Sequence, residues 1–268
     1  GLLAVTGFAL GFQPRGMRVR HSIDYAGAVV LSAALAALVL VTSLGGNTIA
    51  WGSSGALALM AVAAVGFVLF GLIETRAVEP ILPMSLFRQN VFTVTSAIGF
   101  VAGAAMFGSV TFMPLYLQIA KGVTPTVSGL QLIPMTAGIL TSSMLAGRYM
   151  TRTGRYRILP MIGTLALSCG LALLSTIGAA TPYPLTGLYL AMVGAGMGCI
   201  FPVVTTAVQN AVPRELLGTA TAAGLMFRQV GGSLAVALFG ALFAARLAAR
   251  LDGLPPEVTG EIGPQMLA

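Results

Sequence analysis

Charge is scarce in this chain. Only 8% of its 268 residues are Asp, Glu, Lys or Arg, and 57% are hydrophobic. Soluble domains carry roughly a quarter charged residues, so an ordinary soluble domain is excluded. Histidine occurs once, at His21, which rules out a His-based metal cluster. There are two cysteines, Cys169 and Cys199, both inside apolar runs. A disulfide framework or a metal site needs more of them in a suitable spacing, so both read as small helix-packing residues. Acids are equally sparse. Asp and Glu together number 7, and none stands at the centre of an apolar run. A membrane-embedded enzyme, such as a lipid-modifying transferase, needs clustered Asp, His or Cys for acid–base or metal work. No enzymatic activity, cofactor or metal is therefore expected.

What the chain has instead is apolar length. Its mean hydropathy is +0.94. A membrane-spanning helix needs about 20 predominantly apolar residues, and such runs fall at 23–45, 54–74, 90–117, 127–148, 158–178, 185–210 and 217–248. None alternates as a strand does, and all are too long for barrel strands. The expected fold class is an all-α integral membrane bundle, multi-pass, with the lipid bilayer as its solvent. A bacterial cytoplasmic membrane is the expected location.

Lys and Arg number 14, giving a net charge of +7. A basic protein suggests nucleic acid, but here the arginines cluster in short gaps between apolar runs, as the positive-inside rule produces. Nucleic acid is not an expected partner. The strongly basic gaps are 13–22 (Arg15, Arg18, Arg20), 75–89, 148–157 and 211–216, which places them in the cytoplasm. Arg246 and Arg250 fall at the expected outer end and break the pattern. Asp24, Glu74, Glu79 and Glu215 lie at cytoplasmic helix ends, with Asp24 suited to a helix start.

Residues 1–12 are apolar but too short to span, and read as the end of a preceding transmembrane helix, with 13–22 a cytoplasmic loop. The stretch 251–268 reads as a truncated extracytoplasmic loop. The expectation is a piece of a longer protein.

Small residues recur four apart at Gly99 and Gly103, Gly138 and Ser142, and Gly194 and Gly198. That spacing puts each pair on one helix face, where helices can pack closely. Pro114, Pro134 and Pro202 fall inside spans and predict kinks. "GAGMG" at 194–198 looks like a dinucleotide loop, but that motif needs a strand before it, and this one lies inside an apolar helix.

Arg228, followed by Gln229, is a charge within a greasy run, in "LMFRQVGGSL". A central arginine costs about 2.5–3.5 kcal/mol on the translocon scale. Counted at 100° per residue, Thr221, Gly224, Gly231, Gly232 and Ala235 share its azimuth, while Met226, Val230, Leu234 and Ala237 lie opposite. The small face predicts close packing, so Arg228 is expected to face the bundle interior in a gating or coupling role. Its expected partner is a backbone carbonyl, Gln209 or a carboxylate elsewhere in the protein. Snorkelling to the cytoplasmic surface is the competing reading.

"GRYMTRTGRYR" at 147–157 fits G-x-x-x-D-R-x-G-R through Gly147, Thr151, Arg152, Gly154 and Arg155, with Thr151 in the aspartate's place. Gly147 is expected to end a helix there. This pattern resembles the short cytoplasmic loop between the second and third helices of a six-helix half in the major facilitator superfamily. In that family the loop's charges lock one conformation, and the missing acid implies a weaker or rewired latch. "PILPMSLFRQNVF" (80–92), "SGLQLIPMTAGIL" (128–140) and the stretch 196–240 resemble the fourteen-helix drug:proton antiporter branch, the EmrB/QacA type.

The resemblance implies a major facilitator superfamily helical bundle, here partial. Residues 23–89 would be two insert helices, and 90–250 a C-terminal transporter bundle of five helices. The first, second, fourth and fifth helices of a half line the central cavity in that family. This makes Phe107, Phe112, Met113, Tyr116, Gln131, Thr205, Gln209 and Asn210 substrate-cavity candidates. The implied function is secondary active, proton-coupled efflux of lipophilic or cationic small molecules by alternating access. Substrate, protons and an N-terminal half of the same protein would be the partners, with the proton-binding carboxylates in that half. The alternatives are transport of one specific metabolite, or a non-transporting fragment.

Overall fold

A computed structural model describes residues 6–7, 11, 24–45, 49–50, 52–77 and 80–251. The expected loops at 13–22 and 252–268, Glu79, most of 1–12 and the side chain of Arg250 lie outside the described residues. Eight helices carry the described fold: α1 (Tyr25–Leu44), α2 (Ser54–Glu74), α3 (Asn90–Lys121), α4 (Pro125–Leu130), α5 (Ile133–Thr153), α6 (Ile158–Leu174), α7 (Tyr183–Ala211) and α8 (Leu217–Leu251). Six segments are long and apolar enough to cross a membrane, with α4 and α5 counted together. In hydrocarbon every backbone polar group must be satisfied within its own helix or by a neighbour, and an all-helical chain meets that demand.

The helices begin and end on local signals. Asp24 caps α1, its Oδ1 accepting from the Gly27 N–H at 2.9 Å. Ser53 caps α2 through the Ala56 N–H at 3.3 Å. Glu74 closes α2 and is buried, and its Oε1 accepts from the Ile81 N–H at 3.1 Å, pinning the linker to α3. Two expected boundaries shift. The run 158–178 yields a helix of only 17 residues, α6. The helix starting at Ile133 runs on to Thr153, past Gly147, and ends where Gly154 takes a left-handed φ of 66°.

The three prolines behave differently. Pro134 breaks its span outright. It has no N–H to offer Leu130 and it disfavours helical geometry just before it, so the chain turns at Gln131–Leu132 between α4 and α5. The Tyr183 hydroxyl donates to the freed Gln131 carbonyl at 3.2 Å. Pro114 and Pro202 stay inside continuous helices. Pro202 cannot donate to the Gly198 carbonyl, and the Ser143 hydroxyl of α5 reaches it instead at 3.3 Å.

Packing centres on α7. Its Gly194 and Gly198 meet α5, whose Gly138 and Ser142 face back. A Cβ on Gly194 would collide with the Met135 carbonyl oxygen, and one on Gly138 with that of Ala191. Gly196, on the opposite face, lies against Gly163 and Leu167 of α6. Two of the three small-residue pairs expected from sequence therefore interlock with one another. Around them Met113, Leu117, Met135, Leu167, Leu190, Val193, Met197 and Ile200 form the main buried cluster.

A second seam joins α3 to α8. Gly103 lies on the Arg228 carbonyl, Gly231 on that of Phe100, and the Phe107 ring covers Gly232. α1 and α2 pack on each other, with Gly66 against Ala34, and α1 also meets α8. A second buried cluster of Phe70, Leu86, Phe92, Val208 and Ala220 ties α2, the linker, α3, α7 and α8 together.

Overpacking a core typically costs about 1–3 kcal/mol, and here the obstacle is rigid backbone. Gly194→Leu is predicted to cut the monodisperse, folded yield of the full-length protein at least threefold. Gly178→Ala, where a Cβ meets nothing within 4 Å, should leave it unchanged. Size-exclusion profiles in detergent decide this, and equal yields would refute the seam as a packing constraint.

Candidate functional site

Arg228 lies 11 residues into α8, about 17 Å along the axis at 1.5 Å per residue. Gly99 is 9 residues into α3, and Phe201 is 10 residues before the end of α7. All three therefore stand at similar depth, roughly 14 to 17 Å from those helix ends at 1.5 Å per residue. They line one narrow cleft of about 30 Å³, together with Val204, Thr205, Val208, Ala220, Thr221, Gly224 and Leu225.

The arginine does not leave for the surface. Its Cζ sits 4.7 Å from the centroid of the Phe201 ring. Gly103 packs against its carbonyl and its Cγ, which fixes the depth of the residue. Its Nε is buried without a hydrogen-bond partner. A cation over an aromatic face gains about 0.5–2 kcal/mol, less than central placement of an arginine costs. The guanidinium is thus held by a weak partner and keeps unused donors.

The neighbours explain the cleft's shape. Gly231 and Gly232 press into α3, whereas a Cβ on Gly224, two turns earlier on the same stripe, would meet nothing within 4 Å. The stripe read from sequence as one packing face is tight at Gly231 and Gly232 and looser at Gly224. Ala237, expected on the opposite side, is buried. The Thr205 hydroxyl donates to the Phe201 carbonyl at 3.0 Å and that of Thr221 to the Leu217 carbonyl at 2.7 Å. Gln209, a proposed partner of Arg228, instead donates from Nε2 to the Thr221 hydroxyl at 3.3 Å. Gln229 points outward and is exposed.

The cavity candidates do not converge on one place. Only Thr205 lines the Arg228 cleft. Met113 and Tyr116 belong to the core between α3, α5 and α7, where the Tyr116 hydroxyl is buried without a partner. Phe107 fills the α3–α8 seam, and Phe112 stacks edge-on with Phe239 at 6.0 Å. Gln131 sits at the helix break, its side-chain oxygen buried and unpartnered. Gln209 and Asn210 are exposed at the C-terminal end of α7. Family layout assigned helices to a cavity but did not fix which face of each helix looks inward. Phe201 was missed. It stands four residues before Thr205, hence on the same helix face, and that register is the signal that would have found it.

The 147–157 motif is mostly helix. Thr151 turns its hydroxyl back to the Gly147 carbonyl at 2.9 Å, as a helical threonine does. Gly154 donates its N–H to the Met150 carbonyl at 2.9 Å, and the Thr153 hydroxyl accepts from the Arg155 N–H at 3.2 Å. Gly154, not Gly147, ends the helix, because only it occupies the left-handed region. Arg152 and Arg155 are exposed, and neither makes an ion pair among the described residues.

The chain belongs to the Major Facilitator Superfamily, whose family model matches residues 12–236. An uncharacterized MFS-type transporter of Mycobacterium tuberculosis is 43% identical over 85% of this chain and 33% of its own length. A multidrug transporter protein of Bacillus subtilis is 34% identical over 97% of this chain and 49% of its own. A tetracycline resistance determinant of Streptomyces rimosus is 38% identical over 86% of this chain and 67% of its own. The chain thus spans about a third to two thirds of the length of these relatives.

A side chain forced into the left-handed region costs about 1–2 kcal/mol. Gly154→Ala is predicted to lower the melting temperature of the full-length protein measurably in detergent. Arg155→Ala, which removes an exposed and unpaired side chain, should leave it in place. Equal melting temperatures for Gly154→Ala and the parent would overturn the assignment of Gly154 as the helix stop.

Proposed function

We propose that this chain is the C-terminal portion of a fourteen-helix exporter that moves lipophilic small molecules out of the cell in exchange for protons. In this reading α1 and α2 are the insert pair, and α3 to α8 form five spans of the second half, α4 and α5 being one broken span. An N-terminal half of the same protein supplies the opposing wall. The membrane is the bacterial cytoplasmic membrane.

The observation that carries the reading is the Arg228 cleft. A permanent charge held well inside a spanning helix, at the meeting of three helices, is the kind of feature that marks a substrate or ion path. Alternating access around a midplane site would have this cleft face the other half. The printed names of the relatives support export, since they include multidrug and tetracycline resistance proteins. Asp24, Glu74 and Glu215 lie at helix ends and not at mid-depth. Proton exchange therefore draws on carboxylates of the N-terminal half.

The exposed arginines at 148–157 would act as a cytoplasmic contact with that half. Thr151 bonds only within its own helix, so any lock there uses an acid from the other side.

The test uses the full-length protein in cells lacking their main efflux pumps, challenged with several chemically unrelated lipophilic compounds. Arg228→Ala is predicted to lower efflux at least tenfold while membrane insertion stays normal. Undiminished efflux by a correctly inserted Arg228→Ala protein would falsify the role given to the cleft. Efflux of a single compound from the panel would favour a dedicated metabolite carrier instead.

A further inference from the structure

A groove between α5 and α6, floored by α7, shares no residue with the Arg228 cleft. We infer that it seats one anionic phospholipid, with the phosphate on Arg152 and Arg157 and the first part of an acyl chain in the groove. The inference is independent of what the protein carries.

The groove holds about 380 Å³. Leu145 and Tyr149 of α5 face Ile158 and Ile162 of α6 across it, and Ser142 and Cys199 lie along its floor. From Ser142 to Tyr149 it runs about 10 Å along α5. Leu145, Ile158 and Ile162 are each half exposed or more, so no described helix covers the groove. The Ser142 hydroxyl is buried and donates to the Gly138 carbonyl of its own helix at 2.7 Å. The floor therefore asks for no polar partner, and an alkyl chain suits it.

One end of the groove is basic. Counted at 100° per residue, Arg152 lies about 20° from Leu145 on α5, one turn beyond Tyr149. Arg157 immediately precedes Ile158 at the start of α6. Both arginines are exposed. No Asp or Glu occurs between Glu79 and Glu215, so the three helices that form the groove contribute no counter-charge. α6 also begins without a side chain capping its first N–H groups, and such a helix start favours a phosphate. Tyr149 stands between the apolar and the basic part, where an aromatic ring suits the headgroup level. Arg148, about 40° further round α5, is left for the contact with the N-terminal half.

The occupant must then be apolar over the length of the groove and anionic at one end. A free phosphate would meet the arginines and leave the groove empty. An apolar helix would fill the groove and leave the arginines without an anion. A phospholipid of net negative charge meets both demands, in the way that basic pockets between membrane helices take anionic headgroups.

The experiment uses the full-length protein in detergent, with dioleoylphosphatidylglycerol and dioleoylphosphatidylcholine offered in equal amounts. Native mass spectrometry counts the lipid retained. The parent should keep phosphatidylglycerol at least fivefold over phosphatidylcholine, and equal retention overturns the inference without any variant. Arg152→Gln combined with Arg157→Gln should lower retained phosphatidylglycerol at least fivefold. Arg214→Gln, which removes an exposed arginine that does not line the groove, should not change it. An equal loss in both would reduce the effect to general charge attraction and overturn the site. Ile162→Trp fills the groove without altering charge and should lower retention similarly. Unchanged retention there shows that the headgroup alone is held, and sinks the proposal. Phosphatidylglycerol carrying a diazirine on its acyl chain should crosslink between residues 142 and 162 in nanodiscs. Crosslinks confined to other segments would mean that another part of the protein covers the groove, and overturn it. So would displacement of the lipid by millimolar inorganic phosphate, which would identify a free-anion site.

Discussion

The structure depends on backbones that touch. In lipid the tails are as apolar as leucine, so no hydrophobic force drives helices together, and close van der Waals packing must hold them. α7 meets this demand on two faces at once. Gly194 and Gly198 admit α5, and Gly196, turned away by two residues, admits α6. Three glycines in five residues thus bring three helices into contact, and a side chain at any of them would collide with a neighbour. The same segment holds Pro202, whose missing donor is replaced by Ser143 across that seam. Removing the contact would therefore also strip a carbonyl of its partner.

The second seam couples the first to the cleft. α3 packs on α7 through the main cluster and on α8 through Gly103, Gly231 and Gly232. The Phe87 ring lies edge-on to Phe92 at 5.3 Å and to Phe227 at 6.0 Å. α8 is therefore gripped on both sides of Arg228, by an aromatic cluster just before it and by glycine contacts just after.

Much of this was legible in the sequence, and the unread part has a common cause. Length and hydropathy placed each helix, because a bilayer fixes the length of a span. Four-residue spacing of small residues picked out the crossing faces of α5 and α7. The termini were read less well. Gly147 and Gly154 both suit a helix end by composition, and only the backbone angle that each adopts in the folded chain separates them. Pro134 and Pro202 are equally proline, yet one splits its helix and the other does not, and in both places a hydroxyl from another helix meets a nearby carbonyl. The cavity candidates lie apart from one another for the same reason. A helix assigned to a cavity still presents several faces, and Phe112 or Met113 turn theirs to a neighbour. Facts internal to one helix were readable, and facts that depend on a second helix were not.

Arg228 combines both kinds. Its sequence position shows a charge in the wrong place, and only the neighbouring helices show why it stays. A long side chain can escape hydrocarbon by snorkelling if its Cα is free to rise toward the headgroups. Here Gly103 lies on the residue's own carbonyl and on its Cγ, so both the backbone and the start of the side chain are held in place. The ring of Phe201 offers the guanidinium only a weak partner, and the Nε stays buried without an acceptor. A packed interior would avoid that cost by exchanging arginine for leucine. The surrounding glycines instead maintain a fixed, incompletely satisfied cation where three helices meet.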